Sequence, residues 1–236
     1  MVHCITNAVT RARVADALAA VGMQPILAAA AEEVADVARS ADAVLLNTGT
    51  PSVERFAAMR AAADAARAAR VPVVLDPVGC GVSAWRTERI RSLLSTPVAV
   101  VRGNVAEVAS LATLAGPARL SGVSASAVDA EEVERIALAA SGTLDTVVLA
   151  TGRGNDTLAG AGIARRLTVA GDVLSRVVGA GDVLSALIAA FLARGRAPFD
   201  AAAEAHAAFA AAVRSAGVRG PGSFWPAFLD ALVSLG

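Results

Sequence analysis

Val71-Pro72-Val73-Val74-Leu75-Asp76 is a run of apolar, mostly β-branched residues that closes on a carboxylate and passes into Pro77-Val78-Gly79-Cys80-Gly81. A strand that is apolar at nearly every position is buried on both faces, which is the environment of a parallel sheet covered by helices on either side. Comparable runs recur at Val2 to Thr6, Pro25 to Ala28, Ala43 to Asn47, Val98 to Arg102 and Thr146 to Thr151. The intervals between them are the length of helices and rich in alanine. Thr10 to Val21, Ser52 to Arg70, Trp85 to Ser95, Asn104 to Leu114 and Ala130 to Ser141 have helical composition, and Gly or Pro marks several of their ends. Right-handed helical crossovers are what parallel strands require, so the pattern predicts a three-layer α/β/α domain with a mainly parallel central sheet. From Gly152 to Val178 the texture changes to Gly and β-branched residues, which predicts a hairpin or short antiparallel strands, and three helical stretches follow from Gly181.

The chain has 236 residues, enough for one large core, and residues 1–236 read as a single domain. Although 56% of residues are hydrophobic, charged residues interrupt every Ala-rich run well before the roughly 18 to 20 apolar residues of a membrane span. The apolar excess is assigned to a core and a subunit interface, and a membrane partner is not expected. Lys plus Arg and Asp plus Glu both total 21, so there is no basic field to attract nucleic acid. The two cysteines, Cys4 and Cys80, show neither metal-ligand spacing nor a disulfide framework. The start, Met1 to Asn7, lacks the charged and apolar regions of a secretory signal. Together these features predict a cytoplasmic protein.

In an open parallel sheet, ligands gather outside the carboxyl ends of the strands. Those ends carry Asn7, Asn47-Thr48-Gly49-Thr50, Asp76-Pro77-Val78-Gly79, Arg102-Gly103-Asn104, Thr151-Gly152 and Gly179-Ala180-Gly181-Asp182. Turn preference explains any one such cluster, but six together point to a binding edge. Gly179-Ala180-Gly181-Asp182 opens the apolar helix from Val183 to Leu192. Glycines there let backbone N–H groups of Gly179, Ala180 and Gly181 approach an anion, and the helix dipole favours negative charge at that end. Asp182 in the first turn can accept a proton from a substrate hydroxyl. It also suits an N-cap, and on that reading Asp182→Asn should leave stability little changed. The pattern is neither the Gly-Lys-Ser/Thr phosphate loop nor the dinucleotide fingerprint.

Asn104-Val105-Ala106-Glu107 has the spacing of a capping box. Its functional reading is that Glu107, with Asp76 from the neighbouring strand end, orders the hydration shell of Mg2+, an ion usually held through water and substrate phosphates. Arg102 supplies fixed positive charge for phosphate oxygens.

The pairing of Asn104-Val105-Ala106-Glu107 with Gly179-Ala180-Gly181-Asp182 resembles the ribokinase-like superfamily. More specifically, the chain is similar to the hydroxyethylthiazole kinases of the thiamine pathway. That resemblance runs through His3-Cys4-Ile5-Thr6-Asn7, Asp76-Pro77-Val78-Gly79, Arg102-Gly103-Asn104, Ala150-Thr151-Gly152 and Gly220-Pro221-Gly222-Ser223-Phe224. It implies ATP as phosphate donor, ATP contacts at Arg102 and Thr151, and thiazole contacts at Asn7, Leu27 and Gly179. Asp182 would take the catalytic position, in a homotrimer with active sites at subunit boundaries. Leu27 stands where members of the family often carry Met, Val178 where they often carry Thr, and Asp182 where some carry Cys. Members also have a helical segment ahead of the His-x-Ile-Thr-Asn stretch, and its absence would expose apolar surface.

Two other readings share the fold. One is an ATP- or ADP-dependent dehydratase of hydrated nicotinamide nucleotides, disfavoured by the His3 to Asn7 stretch. The other is a non-catalytic nucleotide-binding scaffold, disfavoured by intact Asp182 and Glu107. His3 at the start of an apolar strand reads as structural, His206 as a surface or packing residue, Cys4 and Cys80 as inert buried thiols, and Trp85 and Trp225 as packing residues. The recurrence of Gly171-Asp172-Val173-Leu174-Ser175 as Gly181-Asp182-Val183-Leu184-Ser185 reads as coincidence.

Overall fold

Six parallel strands follow the predicted order of apolar runs: β1 (Val2–Ile5), β2 (Pro25–Ile26), β3 (Ala43–Asn47), β4 (Val73–Asp76), β5 (Val100–Asn104) and β6 (Val147–Thr151). A hairpin of β7 (Asp156–Gly160) and β8 (Ile163–Leu167) then adds two antiparallel strands, giving one sheet ordered β2-β1-β3-β4-β5-β6-β7-β8. The computed structural model describes residues 1–113, 128–152, 154–168, 172–217 and 220–234. The helices are α1 (Arg11–Ala20), α2 (Val34–Ser40), α3 (Val53–Ala69), α4 (Ala84–Leu93), α5 (Val105–Leu111), α6 (Ala130–Leu144), α7 (Ala180–Ala193), α8 (Pro198–Ala216) and α9 (Pro221–Val233). No helix among the described residues is long and apolar enough to cross a membrane.

Alternation along each strand divides the core into two layers. Val44, Leu46, Leu75 and Val101 face one side, where Met59, Ile90, Leu93 and Ile136 cover them. Leu45, Val74, Val100 and Leu149 face the other, against Val183, Leu187, Phe224 and Phe228. Burying both sets of alternate residues makes each strand read as continuously apolar. The three-layer α/β/α expectation is therefore met, and so is the antiparallel hairpin after Thr151.

Several boundaries differ. The β2 strand is two residues, shorter than Pro25 to Ala28, because only Pro25 and Ile26 pair with β1. The α2 helix, which the sequence reading omits, is one short element between β2 and β3. Leu114, expected as the end of the helix that starts at Asn104, Gly171, the start of the first recurring segment, and part of the Gly-rich 152–178 stretch lie outside the described residues.

The strand order places β1 between β2 and β3. The chain leaves β1 toward one edge and returns past it to the other side, so the carboxyl ends of β1 and β3 flank the reversal point where a crevice forms in open α/β sheets. Asn7 and Asn47 lie at those two ends.

Candidate active site

The sheet brings the carboxyl ends of β1, β3, β4, β5 and β6 to the N-terminus of α7, where hydrogen bonds join the polar side chains at the ends of β1, β3 and β4 into one network and Arg102 of β5 adds an ion pair to Asp76. Asp182 is its hub. Oδ2 accepts from Asn7 Nδ2 at 2.9 Å and from the Thr10 hydroxyl at 2.5 Å, while Oδ1 accepts from Asn47 Nδ2 at 2.9 Å. Asn47 Nδ2 also donates to Asp76 Oδ2 at 2.9 Å, so one amide nitrogen spends its two hydrogens on two carboxylates. Its Oδ1 accepts from Asn7 Nδ2 and from the Gly49 backbone N–H, both at 3.1 Å, which fixes the amide's orientation.

The helix end departs from one expectation. The N-cap position of α7 is Gly179, in the left-handed region at φ 95°, and Asp182 is the third helical residue. The hydrogen bonds of the Asp182 carboxylate go to Asn7, Thr10 and Asn47. Its oxygens point to the strand ends because Asn7, Thr10 and Asn47 offer side-chain donors there, so the carboxylate belongs to the site and not to the helix terminus. The first N–H groups of a helix have no intrahelical acceptor, and the free turn of α7 opens beside this carboxylate, in keeping with an anion cradle at Gly179, Ala180 and Gly181.

Asp76 ends β4 and is fully buried. Burial pushes it up to about 7, against the pull of Arg102, and the charges of Asp182 and Glu107 raise it further while the Ser185 hydroxyl opposes them. Oδ2 accepts from Ser185 Oγ at 2.8 Å and lies 4.0 Å from Arg102 Nη1, whereas Oδ1 is buried without a partner among the described residues. Arg102 Nη2 donates to Thr151 Oγ1 at 2.6 Å, which joins the two residues expected to meet ATP. The guanidinium also lies against the first turn of α7: a Cβ on Gly181 would stand 2.1 Å from Nη1. Fixed positive charge and helix N–H groups that have no intrahelical acceptor thus share one location.

The capping box of α5 is formed. Asn104 Oδ1 accepts from the Glu107 N–H, and Glu107 Oε2 accepts from the Asn104 N–H, both at 2.9 Å. Glu107 Oε1 takes the Gly79 N–H at 2.9 Å, so each oxygen already holds one backbone donor. Burial raises Glu107 above the usual carboxylate range, and those two N–H groups oppose the shift.

The donor set bears on Mg2+. Asp76, Glu107 and Asp182 lie close enough for their charges to act on one another, and Asp76 Oδ1 has no partner among the described residues. No group of three or more His, Cys, Asp or Glu among the described residues is arranged to hold a metal ion. The unpartnered Asp76 oxygen beside two further carboxylates fits a cation held through water and completed by phosphate oxygens, the habit of Mg2+.

Of the other expected contacts, Leu27 follows β2 at the sheet edge and is half-buried against the core layer that contains α1 and α7. Val178 is 63% exposed, and its carbonyl accepts from the Arg13 guanidinium. His3 Nε2 donates to the Ala28 carbonyl at 2.9 Å, in line with a structural role. Both thiols are buried, and burial raises Cys4 to about 12 and Cys80 to about 11, so neither is activated. Trp225 packs on Phe224 and Phe228 beneath the Arg13 guanidinium, whereas Trp85 is 41% exposed and touches Phe56 edge-on. The surface alternative for His206 is wrong: it is buried and bonded to Asp156. Sequence reasoning missed the bonds of Thr10 and Ser185. The signal available was spacing: Ser185 stands three residues after Asp182 in α7, where a helix puts such positions on one face, and Thr10 stands three residues after Asn7 in the turn that leads into α1.

The hydroxyethylthiazole kinase family model matches residues 1–236. The hydroxyethylthiazole kinase of Corynebacterium efficiens is 39% identical, across all of this chain and 88% of the relative. That of Rubrobacter xylanophilus is 41% identical, across all of this chain and 87% of the relative. The solved hydroxyethylthiazole kinase of Pyrococcus horikoshii superposes with a TM-score of 0.89 at 32% identity, over 99% of this chain and 87% of that one. A Bacillus subtilis pyridoxal kinase, at 16% identity and a TM-score of 0.66 over 90% of this chain and 91% of that one, shares the ribokinase-like fold. With the carboxylate, helix N-terminus and arginine in one crevice, these matches place the chain in the hydroxyethylthiazole kinase family.

Proposed function

We propose that this chain transfers the terminal phosphoryl group of ATP to the hydroxyl of 4-methyl-5-(2-hydroxyethyl)thiazole, yielding ADP and the thiazole phosphate within thiamine synthesis and salvage. The observation that carries this reading is the convergence of the Asp182 carboxylate, the open first turn of α7 and Arg102 at one point of the sheet edge. Phosphoryl transfer asks chiefly for positioning and charge neutralisation, and these residues divide that work. Asp182 takes the hydroxyl proton as the alcohol oxygen bonds to the terminal phosphorus and the bond to the ADP oxygen breaks. Thr10, Asn7 and Asn47 aim its carboxylate. Backbone N–H groups at Gly179, Ala180 and Gly181 receive the moving phosphoryl oxygens. Arg102 and Thr151 hold the nucleotide phosphates, and Asn7, Leu27 and Gly179 contact the thiazole.

Asp76 and Glu107 would hold Mg2+ through water, and the ion would supply positive charge to the phosphates. The assembly is a homotrimer and the compartment the cytoplasm, both carried from the family resemblance, the trimer also from the high apolar content of the sequence. Purified protein with ATP, Mg2+ and the thiazole alcohol should form ADP and thiazole phosphate in equal amounts. Turnover of a hydrated nicotinamide nucleotide instead would overturn the reading in favour of the dehydratase, and binding of ATP without turnover would overturn it in favour of the scaffold.

A further inference from the structure

Outside that network lies a buried carboxylate–imidazole pair. Asp156 opens β7 and His206 sits in the middle of α8; they are 5% and 3% exposed, and His206 Nε2 stands 2.9 Å from Asp156 Oδ2. The other carboxylate oxygen, Oδ1, accepts the Gly152 backbone N–H at 2.9 Å. Gly152 directly follows Thr151, whose hydroxyl receives Arg102 Nη2 and lies 3.3 Å from the Gly103 carbonyl. A continuous path thus runs from α8 through Asp156 to the end of β6, then to Arg102 and the first turn of α7.

Stability alone is a poor reason for this pair. Removing a carboxylate from water is costly, and well-packed apolar residues of similar volume often serve as well or better. An apolar pair, however, cannot hold a backbone N–H in place. Gly152 itself has little room where that N–H is held, since a Cβ on it would stand 2.8 Å from the Asn155 carbonyl oxygen. A buried acceptor with both oxygens engaged fixes the link's first residue, and with it Thr151.

We propose that Asp156 and His206 are positioning residues for the nucleotide half of the site: His206 orients Asp156, Asp156 fixes the Gly152 amide, and the Thr151 hydroxyl thereby holds Arg102 toward the phosphates of ATP. This rests on the placement of ATP at Arg102 and Thr151. Neither residue touches substrate, and the pair acts on nucleotide affinity, not on proton transfer.

The test is initial-rate kinetics on the full chain with His206→Leu, His206→Gln and Arg102→Ala, together with hydrogen exchange at the Gly152 amide. His206→Leu should raise the KM for ATP about tenfold, the scale of losing a hydrogen bond to a charged group. The KM for the thiazole alcohol should stay within about twofold of the wild-type value, and Gly152 exchange should quicken. His206→Gln, which keeps an N–H donor at similar reach, should recover most of the loss. An unchanged KM for ATP in folded His206→Leu, an equal rise in both KM values, or no recovery with Gln overturns the proposal. If His206→Leu does not fold, Asp156→Asn carries the same split, since its oxygen can still take Gly152 or face His206 but not both. Arg102→Ala separates the two levels: an unchanged KM for ATP there removes the nucleotide placement, and the proposal with it. A raised KM there beside a silent His206→Leu overturns the positioning role alone.

Discussion

Asn47 and Asp182, 135 residues apart in sequence, meet at 2.9 Å through Nδ2 and Oδ1, and the second hydrogen of the same nitrogen goes to Asp76. Two carboxylates are thereby held near each other by a neutral group whose two donors match their two acceptors. Asn47→Asp removes both donors and sets a third acid between the others. Denaturant unfolding should show a loss of about 3 kcal/mol, the scale of breaking a buried charge network. Turnover should fall by at least about 10², since the base is no longer aimed. A variant with wild-type stability would show that the bridge contributes nothing to the fold.

Asp182→Asn tests the base. An Asn side chain cannot take the proton, so turnover should drop by roughly 10² to 10⁴ with smaller changes in KM. The structure also alters the expectation for stability. With Asn47 donating to one oxygen and Asn7 and Thr10 to the other, the new NH2 must meet at least one donor. A cost of about 1 to 3 kcal/mol is expected, where an N-cap would have tolerated the change. Near-wild-type turnover in a folded variant would end the general-base assignment.

Arg102 and Gly181 should behave as partners. Arg102→Ala removes a charge-assisted contact to phosphate and should raise the KM for ATP by about 10- to 100-fold, with little effect on the thiazole alcohol. Gly181→Ala should produce a weaker form of the same phenotype, because the added Cβ displaces the guanidinium it would meet at 2.1 Å. Kinetics in which Gly181→Ala impairs only the alcohol would place Arg102 elsewhere in the reaction.

His3 gives a pH dependence with a defined sign. Burial lowers its pKa, outweighing the help of the Ala28 carbonyl and the Glu33 charge. A base depressed in the folded state contributes stability above its unfolded value, about 6.5, and loses it as pH falls through that value toward the folded one. Melting temperature should therefore decline below about pH 6.5, and His3→Leu should flatten that part of the profile. Parallel profiles for the two proteins would assign the decline to another group.

Assembly is checked by sedimentation at micromolar concentration, where a trimer mass is expected. A stable monomer that retains turnover would show that the site is complete within one chain.

The α/β/α architecture was legible because doubly buried strands leave a local signature: continuous apolar runs such as Val71 to Leu75, spaced by helix-length alanine-rich segments. The capping box at Asn104 and Glu107 was legible for the same reason, since both partners lie within one turn. Gly179 to Asp182 could be assigned to a helix start, yet the sequence could not say what its carboxylate bonds. That depended on the reversal of strand order at β1, which carries Asn7 and Asn47 to the same crevice as α7. His206 shows the limit most plainly. Nothing within an alanine-rich helix marks one histidine as buried against Asp156, fifty residues away, because hydrogen bonds of that range are set by how α8 lies across β7 and not by any local preference. Composition and periodicity determined the layers, whereas the pairing of donors with acceptors was decided only by the packing of the layers.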